Sequence, residues 1–474
     1  VAGMAENIER SIRAKAAAEL PAISPLLGKR FLPVSLSQER LFLFAQLFGG
    51  GDFLNMPYAY RLMGPLDVAA LHRAVRAIVG RHATLRSGFV EANGEPRQLV
   101  RRKVNLRIPL VDLSRLPKQA LESELDRRSK ADARRTFDLE EPPLLRVRLL
   151  RLAEDRHILL VTMHHIITDQ WSMGLFRKEL AIIYDAISRG SPVPLADLPI
   201  QFTDFTTWQR EILSAGWLDS QISYWRGQLG EPSARLEFPR AVHQAKAARF
   251  HSTRKPMEIG AVLFARIKDF ANAQRCTPFM VFVTALNVLL YHYAGATDIR
   301  VGTLTANRGQ PGTEGLIGYF VNALILRTKV SPMMKCHELL DEVRQVCLSA
   351  YAHQDVPFEH LESLLAQEHK RSSAPLYQVM LNYRGLSMAP RNSNGLTIAP
   401  WDGDNRAADP GIAISRLDLN LHLRELPTRL TGAVNYKTDL FDDAEITKFL
   451  GGFSAILDQM VADANCRISK IKLL

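Results

Sequence analysis

The residues best placed to do chemistry lie in one string, Met163-His164-His165-Ile166-Ile167-Thr168-Asp169-Gln170-Trp171-Ser172. Two adjacent histidines close an apolar run, and an aspartate follows the second by four positions. An imidazole with a pKa near 6.5 can take up and return a proton near neutral pH. It becomes useful when one ring nitrogen is held and the other faces a substrate. Side chains alternate along a strand, so His164 and His165 are expected on opposite faces, one in the core and one toward a cleft. Three other readings compete: satisfied core histidines, metal ligands, or partners of a serine nucleophile. Opposite-facing rings suit a single ion poorly and no third ligand lies nearby. The chain has no GxSxG, no GxxxxGK[ST] and no GxGxxG, so serine-elbow, nucleotide and dinucleotide chemistry lack sequence support. Residue types alone leave core packing and proton transfer both open.

The histidines end a predicted hairpin. Leu144–Leu152 and Ile158–Met163 are strand-like runs joined by a polar turn over 153–157. A helix follows, with Phe176, Leu180, Ile183, Tyr184 and Ile187 on one face and Gly190 as its stop. Earlier, Asp67 caps a helix whose apolar face is Leu71, Val75, Ile78 and Val79. The three prolines of 191–199 mark a seam between halves. Beyond it, helices are expected at about 202–228 and 260–275. A further helix, apolar on all sides, opens at Thr277-Pro278 and closes at Gly295. Strands are expected at 299–303, 323–330, 377–383 and 417–423. Interspersed helices and strands in both halves predict mixed α/β layers. Residues 1–32 read as an N-terminal linker or docking segment, with a charged, helix-prone stretch at 5–20 and a proline-rich one after it. The halves are then 33–195 and 196–474.

Of 474 residues, 47% are hydrophobic and 23% charged, which excludes a disordered, collagen-like or disulfide-scaffold chain. The net charge of +11 favours acidic partners. The basic residues are dispersed rather than clustered, which disfavours nucleic acid. Cys276, Cys336, Cys347 and Cys466 lack metal-like spacing, and no signal peptide is visible, so reduced thiols in a cytoplasm are expected. The most apolar stretch, Phe279–Leu290, is shorter than the about 20 residues a bilayer span needs, so no membrane is expected.

The histidine string resembles the HHxxxDG motif of condensation domains from nonribosomal peptide synthetases, which belong with the chloramphenicol acetyltransferase-like acyltransferases. Other segments carry the same resemblance. SLSQERLFLF (35–44) is similar to SxAQxRLWFL, RHATLRSGF (81–89) to RHExLRTxF, and FTDFTTW (202–208) to YxDFAxW. IGYFVNALILR (317–327) is similar to IGxFVNTLxLR, HQDVPFE stands intact at 353–359, and RSSAPL (371–376) is a weaker match to RDxSRNPL. Together they cover about 35–474.

The resemblance implies two acetyltransferase-like α/β lobes in a V-shaped pseudo-dimer, with a central tunnel between them. It implies donor and acceptor carrier proteins that deliver thioesters on phosphopantetheine arms, with no cofactor bound by the domain itself. Acyl-coenzyme A is a further possible donor. His165 becomes the catalytic histidine and His164 an inward-facing support. Asp169 pairs with an arginine across the site, and Arg308 is the candidate. Gln170 replaces the motif glycine, so strain or a changed tunnel wall is expected there. Trp171 and Ser172 are candidate tunnel or substrate contacts, and Asn322 is expected either to hydrogen-bond a substrate or to hold a loop. Arg146 and Arg148 share one face of the strand before the histidine strand; it is either a solvated face with snorkelling side chains or, if it lines the donor channel, a place where a guanidinium limits the length of a donor chain. Val1-Ala2-Gly3 before Met4 looks like an expression scar. If Met4 is the start, a starter-type, N-acylating (lipoinitiating) domain is expected. Elongating, ester-forming and non-catalytic, partner-recruiting relatives are the alternatives. The domain is expected to be a monomeric piece of a larger multidomain synthetase.

Overall fold

The computed structural model describes residues 20–26, 31–47, 49, 51–230, 235–238, 252–368, 375–385, 391–401 and 417–473. The predicted helix at 5–20 lies almost wholly outside them. So does most of RSSAPL.

The first lobe is built on a hairpin. Strands β6 (Leu145–Ala153) and β7 (Arg156–His164) pair antiparallel, and β7 also pairs with β2 (Asn55–Met63). β7 is buried continuously from His157 to His164 because both sheet faces are covered. Leu159, Val161 and Met163 face the main core, with helices α2 (Val68–Arg81) and α4 (Gln170–Ser188). Ile158 and Leu160 join a smaller cluster that includes Leu125 of α3 (Lys118–Arg134). Asp67 caps α2 as expected, its carboxylate accepting from the Ala70 N–H at 2.9 Å.

The second lobe carries its own core and its own six-stranded open sheet. Its β9 (Asp298–Thr305), β10 (Asn322–Lys329), β11 (Val379–Arg384) and β14 (Leu419–Glu425) correspond to the four expected strands. Helix α8 (Pro278–Ala294) begins at the Thr277 cap, and Gly295 ends it at φ 63°. The expected helix over 202–228 is instead two, α5 (Phe202–Ser214) and α6 (Asp219–Leu229). Gly216 takes φ 77°, and the Trp217 N–H closes back on the Ile212 carbonyl, which stops the first helix.

Two departures concern the boundaries. Part of the expected linker is docked rather than free. The Trp208 indole donates to the Pro21 carbonyl at 2.7 Å, the Leu26 N–H donates to Asp204 at 3.0 Å, and Leu20 and Ile23 pack on the second core. The division at 195/196 also fails for one segment. A hairpin of β12 (Arg391–Ser393) and β13 (Leu396–Pro400) leaves the second half and extends the first lobe's sheet, with β13 pairing to β2. Leu396 and Ile398 are fully buried in the first core. Its Asn394-Gly395 turn, with both residues at positive φ, is a sequence signal for this hairpin.

The close approach of that turn gives a test. Gly64 sits at φ 111°, and a Cβ there would lie 2.2 Å from the Gly395 carbonyl oxygen. Gly64→Ala is expected to cost at least about 1–3 kcal/mol. Gly80→Ala, on α2 with open space around it, is expected to be neutral or to stabilise by up to about 1 kcal/mol. Thermal unfolding of the two variants checks the contrast.

Candidate active site

The two histidine rings part company because the strand ends between them. β7 stops at His164, and His165–Ile167 form a 3₁₀ turn. The expected alternation along a strand is therefore not the reason for their divergence. His164 is fully buried, and its Nδ1 accepts from the Ile166 N–H at 3.2 Å. Its ring lies edge-on to Phe137, whose face is covered by the Arg146 guanidinium at 3.7 Å. Burial, then the neighbouring His165 and Arg146, push the His164 pKa down to about 3, so the ring is neutral.

His165 is half-buried. Its Nδ1 lies 2.9 Å from the Thr168 carbonyl oxygen. A carbonyl can only accept, so Nδ1 carries the hydrogen and the neutral ring keeps its lone pair at Nε2. That is the tautomer a base needs. The turn is fixed from α1 (Leu36–Leu47), where the Gln38 side chain donates to the Ile166 carbonyl at 2.9 Å. From the opposite lobe, the Tyr319 ring meets His165 edge to face at 4.8 Å.

Asp169 and Arg308 come together across the lobes with almost no solvent exposure of either side chain. Arg308 Nη2 lies 3.1 Å from each carboxylate oxygen and 2.9 Å from the Ser172 hydroxyl. Its Nη1 donates to the carbonyls of Thr313 and Leu316 at 2.7 and 2.6 Å. The Asp169 carboxylate also caps α4 through the Ser172 N–H at 2.8 Å and accepts from the Phe320 N–H at 3.2 Å. Arg308 stacks over Phe320 at 4.0 Å. Burial lowers its pKa and the Asp169 charge raises it back in part.

Gln170 is not strained. It is the first residue of α4 and has no positive φ, and its amide oxygen accepts from the Tyr58 hydroxyl at 2.8 Å. Trp171 is 48% exposed and donates from its indole to the Glu314 carbonyl at 3.0 Å, a further tie between lobes. Ser172 is buried, and its hydroxyl is engaged by Arg308 and by the N–H and carbonyl of Gly318.

Three further candidates have protein partners. Arg148 grips Asp132 of α3 with two bonds of 2.7 and 2.9 Å, so its guanidinium is held in an ion pair on the α3 side of its strand. Arg146 lies on that same face, caps the carbonyls at the end of α3, and covers Phe137. Asn322 is consumed by backbone: its amide donates to the carbonyls of Gln354 and Val356 and accepts from the Phe358 N–H. It holds the 354–358 turn with both of its amide hydrogens and one lone pair of its oxygen. Tyr319, by contrast, was not singled out from sequence. It occupies the variable position of the IGxFVN string, where pattern alone says nothing. Among the described residues no group of three His, Cys, Asp or Glu side chains could hold a metal ion, and no single helix is long and apolar enough to cross a membrane.

A family model described as Condensation domain matches residues 29–474. The chain belongs to the condensation-domain family. Condensation domains are acyltransferases that form amide bonds in nonribosomal peptide synthesis. A linear gramicidin synthase of Brevibacillus parabrevis is 35% identical over 100% of this chain and 6% of its own length. Phosphinothricin tripeptide synthetase PhsC of Streptomyces viridochromogenes is 33% identical over 96% of this chain and 41% of its own. This condensation domain thus spans well under two thirds of these relatives. Among solved structures, the X-domain in complex with OxyB from teicoplanin biosynthesis superposes with a TM-score of 0.80 at 26% identity, covering 96% of this chain and 98% of that one. The first condensation domain of the calcium-dependent antibiotic synthetase shares the fold at 0.77 and 20% identity, covering 94% and 99%.

Two tests follow from the site. Arg308→Leu strands a buried carboxylate and is expected to cost about 3–5 kcal/mol in urea unfolding. Asp169→Asn should cost less, since Arg308 keeps its two carbonyl partners. Below about pH 6.5 the unfolded chain binds a proton at His164 that the folded chain refuses down to about pH 3. Stability therefore rises as pH rises across that window, and is lost on acidification by up to about 1.4 kcal/mol per unit. His164→Asn should flatten this slope in urea titrations at successive pH values.

Proposed function

We propose that this domain joins a donor acyl thioester to the amine of an aminoacyl group held by an acceptor carrier protein. The amine nitrogen attacks the thioester carbonyl, and a tetrahedral intermediate forms. The C–S bond then breaks, leaving an amide on the acceptor carrier and a free thiol on the donor. His165 takes the proton that the amine nitrogen must lose and returns it to the departing sulfur, so none is gained or lost overall. The observation that carries this reading is the Nδ1–H contact to the Thr168 carbonyl, which leaves the basic lone pair at Nε2. Holding both thioesters on pantetheine arms in a passage between the lobes adds the advantage of approximation. The charge of +11 suits acidic carrier proteins or the phosphates of coenzyme A. The four free thiols suit a cytoplasm.

Starter N-acylation and internal elongation differ only in the donor, an acyl-coenzyme A in one and a carrier-bound acyl or peptidyl group in the other. A second reading, a platform that recruits partner enzymes, is favoured by the likeness to an X-domain solved in complex with OxyB.

One experiment separates them. An acceptor carrier loaded with aminoacyl groups is offered a panel of acyl-coenzyme A and acyl-carrier donors, and intact mass is read. Product from the wild type, with a loss of about 10²–10⁴ in rate for His165→Ala and unchanged carrier binding, is the expected result. No product with any donor, together with partner capture indifferent to His165→Ala, would instead establish the platform.

A further inference from the structure

We infer that Tyr319 is a positioning residue for His165: its ring, clamped from both lobes, sets the plane in which the imidazole presents Nε2. The inference rests on the proton-transfer role proposed for His165. His165 belongs to the first lobe and Tyr319 to the second, and their rings meet at 4.8 Å with planes 72° apart. This is the edge-to-face arrangement that aromatic rings favour.

The backbone around Tyr319 is held at successive residues. The Leu316 carbonyl accepts from Arg308, the Ile317 N–H donates to His82 Nδ1 at 3.3 Å, and the Phe320 N–H donates to Asp169. Both backbone groups of Gly318 meet the Ser172 hydroxyl. His82 is itself oriented. Because Nδ1 accepts, Nε2 carries the hydrogen and donates to Glu179 at 2.9 Å, and Arg81 engages the other Glu179 oxygen at 3.1 Å. These bonds are buried, so shifting the segment would leave several polar groups unsatisfied at once. Gly318 adds a steric stop, since a Cβ there would lie 2.2 Å from the Phe202 ring.

Tyr319 also packs against the cores of both lobes. Burial first, and then the Glu359 charge, raise its phenol pKa well above the usual value. The phenol therefore stays protonated at working pH. It acts on His165 by shape and ring electrostatics, with no proton exchanged. With Nδ1 pinned by Thr168 and one side bounded by Tyr319, the imidazole has little rotational freedom.

The test uses Tyr319→Phe, Tyr319→Leu and Tyr319→Met in the amide-forming assay. The phenylalanine variant should stay within about twofold of wild type. The two aliphatic variants should lose about 10- to 100-fold in kcat, with KM for the acceptor carrier within about twofold. In histidine-labelled protein, the His165 ring resonance should keep its ring-current shift in Tyr319→Phe and lose it in the aliphatic variants. Wild-type kcat in both aliphatic variants that melt near the wild-type temperature would overturn the inference, and so would a loss confined to KM. His165→Ala separates the two levels. If that variant is as active as wild type, the proton-transfer reading fails. If it is inactive while Tyr319→Leu is fully active, only the role of Tyr319 fails.

Discussion

One buried ion pair organises the site. Asp169 and Arg308 come from different lobes, and almost nothing of either side chain reaches solvent. Taking two charges out of water is costly, and their attraction offsets that cost only when the remaining hydrogen-bonding capacity is used. Here it nearly is. Arg308 reaches two carbonyls, a hydroxyl and the carboxylate, while Asp169 adds two backbone N–H groups. Such a pair contributes more to selecting one arrangement than to total stability. A small displacement of the lobes would strand both charges. The 3₁₀ turn carrying His165 ends two residues before Asp169, with only Thr168 between, so the same constraint that fixes the lobes also fixes the imidazole.

What the sequence made legible was local. The hairpin ending in His164, the Asp67 and Thr277 caps and the α/β alternation all depend on residues near one another in the chain. The Asp169–Arg308 partnership was reachable only because ordered motifs resembled a known family, since charge alone cannot choose among 60 basic residues. Less legible were contacts decided by what covers a face. Arg148 reads as a solvated strand-face residue or a channel residue, and its ion pair with Asp132 appears only once α3 is seen to lie beside it. Asn322 reads equally as a substrate contact or a loop support, and only the 354–358 backbone bonded to its amide shows the second. Tyr319 has no pattern to announce it, because its importance comes from a ring on another lobe.

Gln170 shows how a motif departure can be harmless to the backbone. The motif glycine suggests a need for left-handed geometry, but the position opens a helix with ordinary dihedrals, where any residue fits. What changes is the side chain, which reaches β2 through the Tyr58 hydroxyl. The substitution therefore adds a contact near the α4 N-terminus and leaves the His165 turn intact.

The hairpin that crosses from the second half into the first lobe's sheet bears on how this protein can be made and recombined. During synthesis β2 emerges with one edge bare, and its neighbour β13 is translated only after most of the second lobe. A bare edge strand is a template for unwanted association, so the nascent first lobe needs shielding until residues 391–400 have been translated. Gene fusions that exchange lobes at the proline-rich seam would likewise separate a sheet from its own last strands. A workable exchange would have to carry residues 391–400 along with the first lobe, as a discontinuous graft.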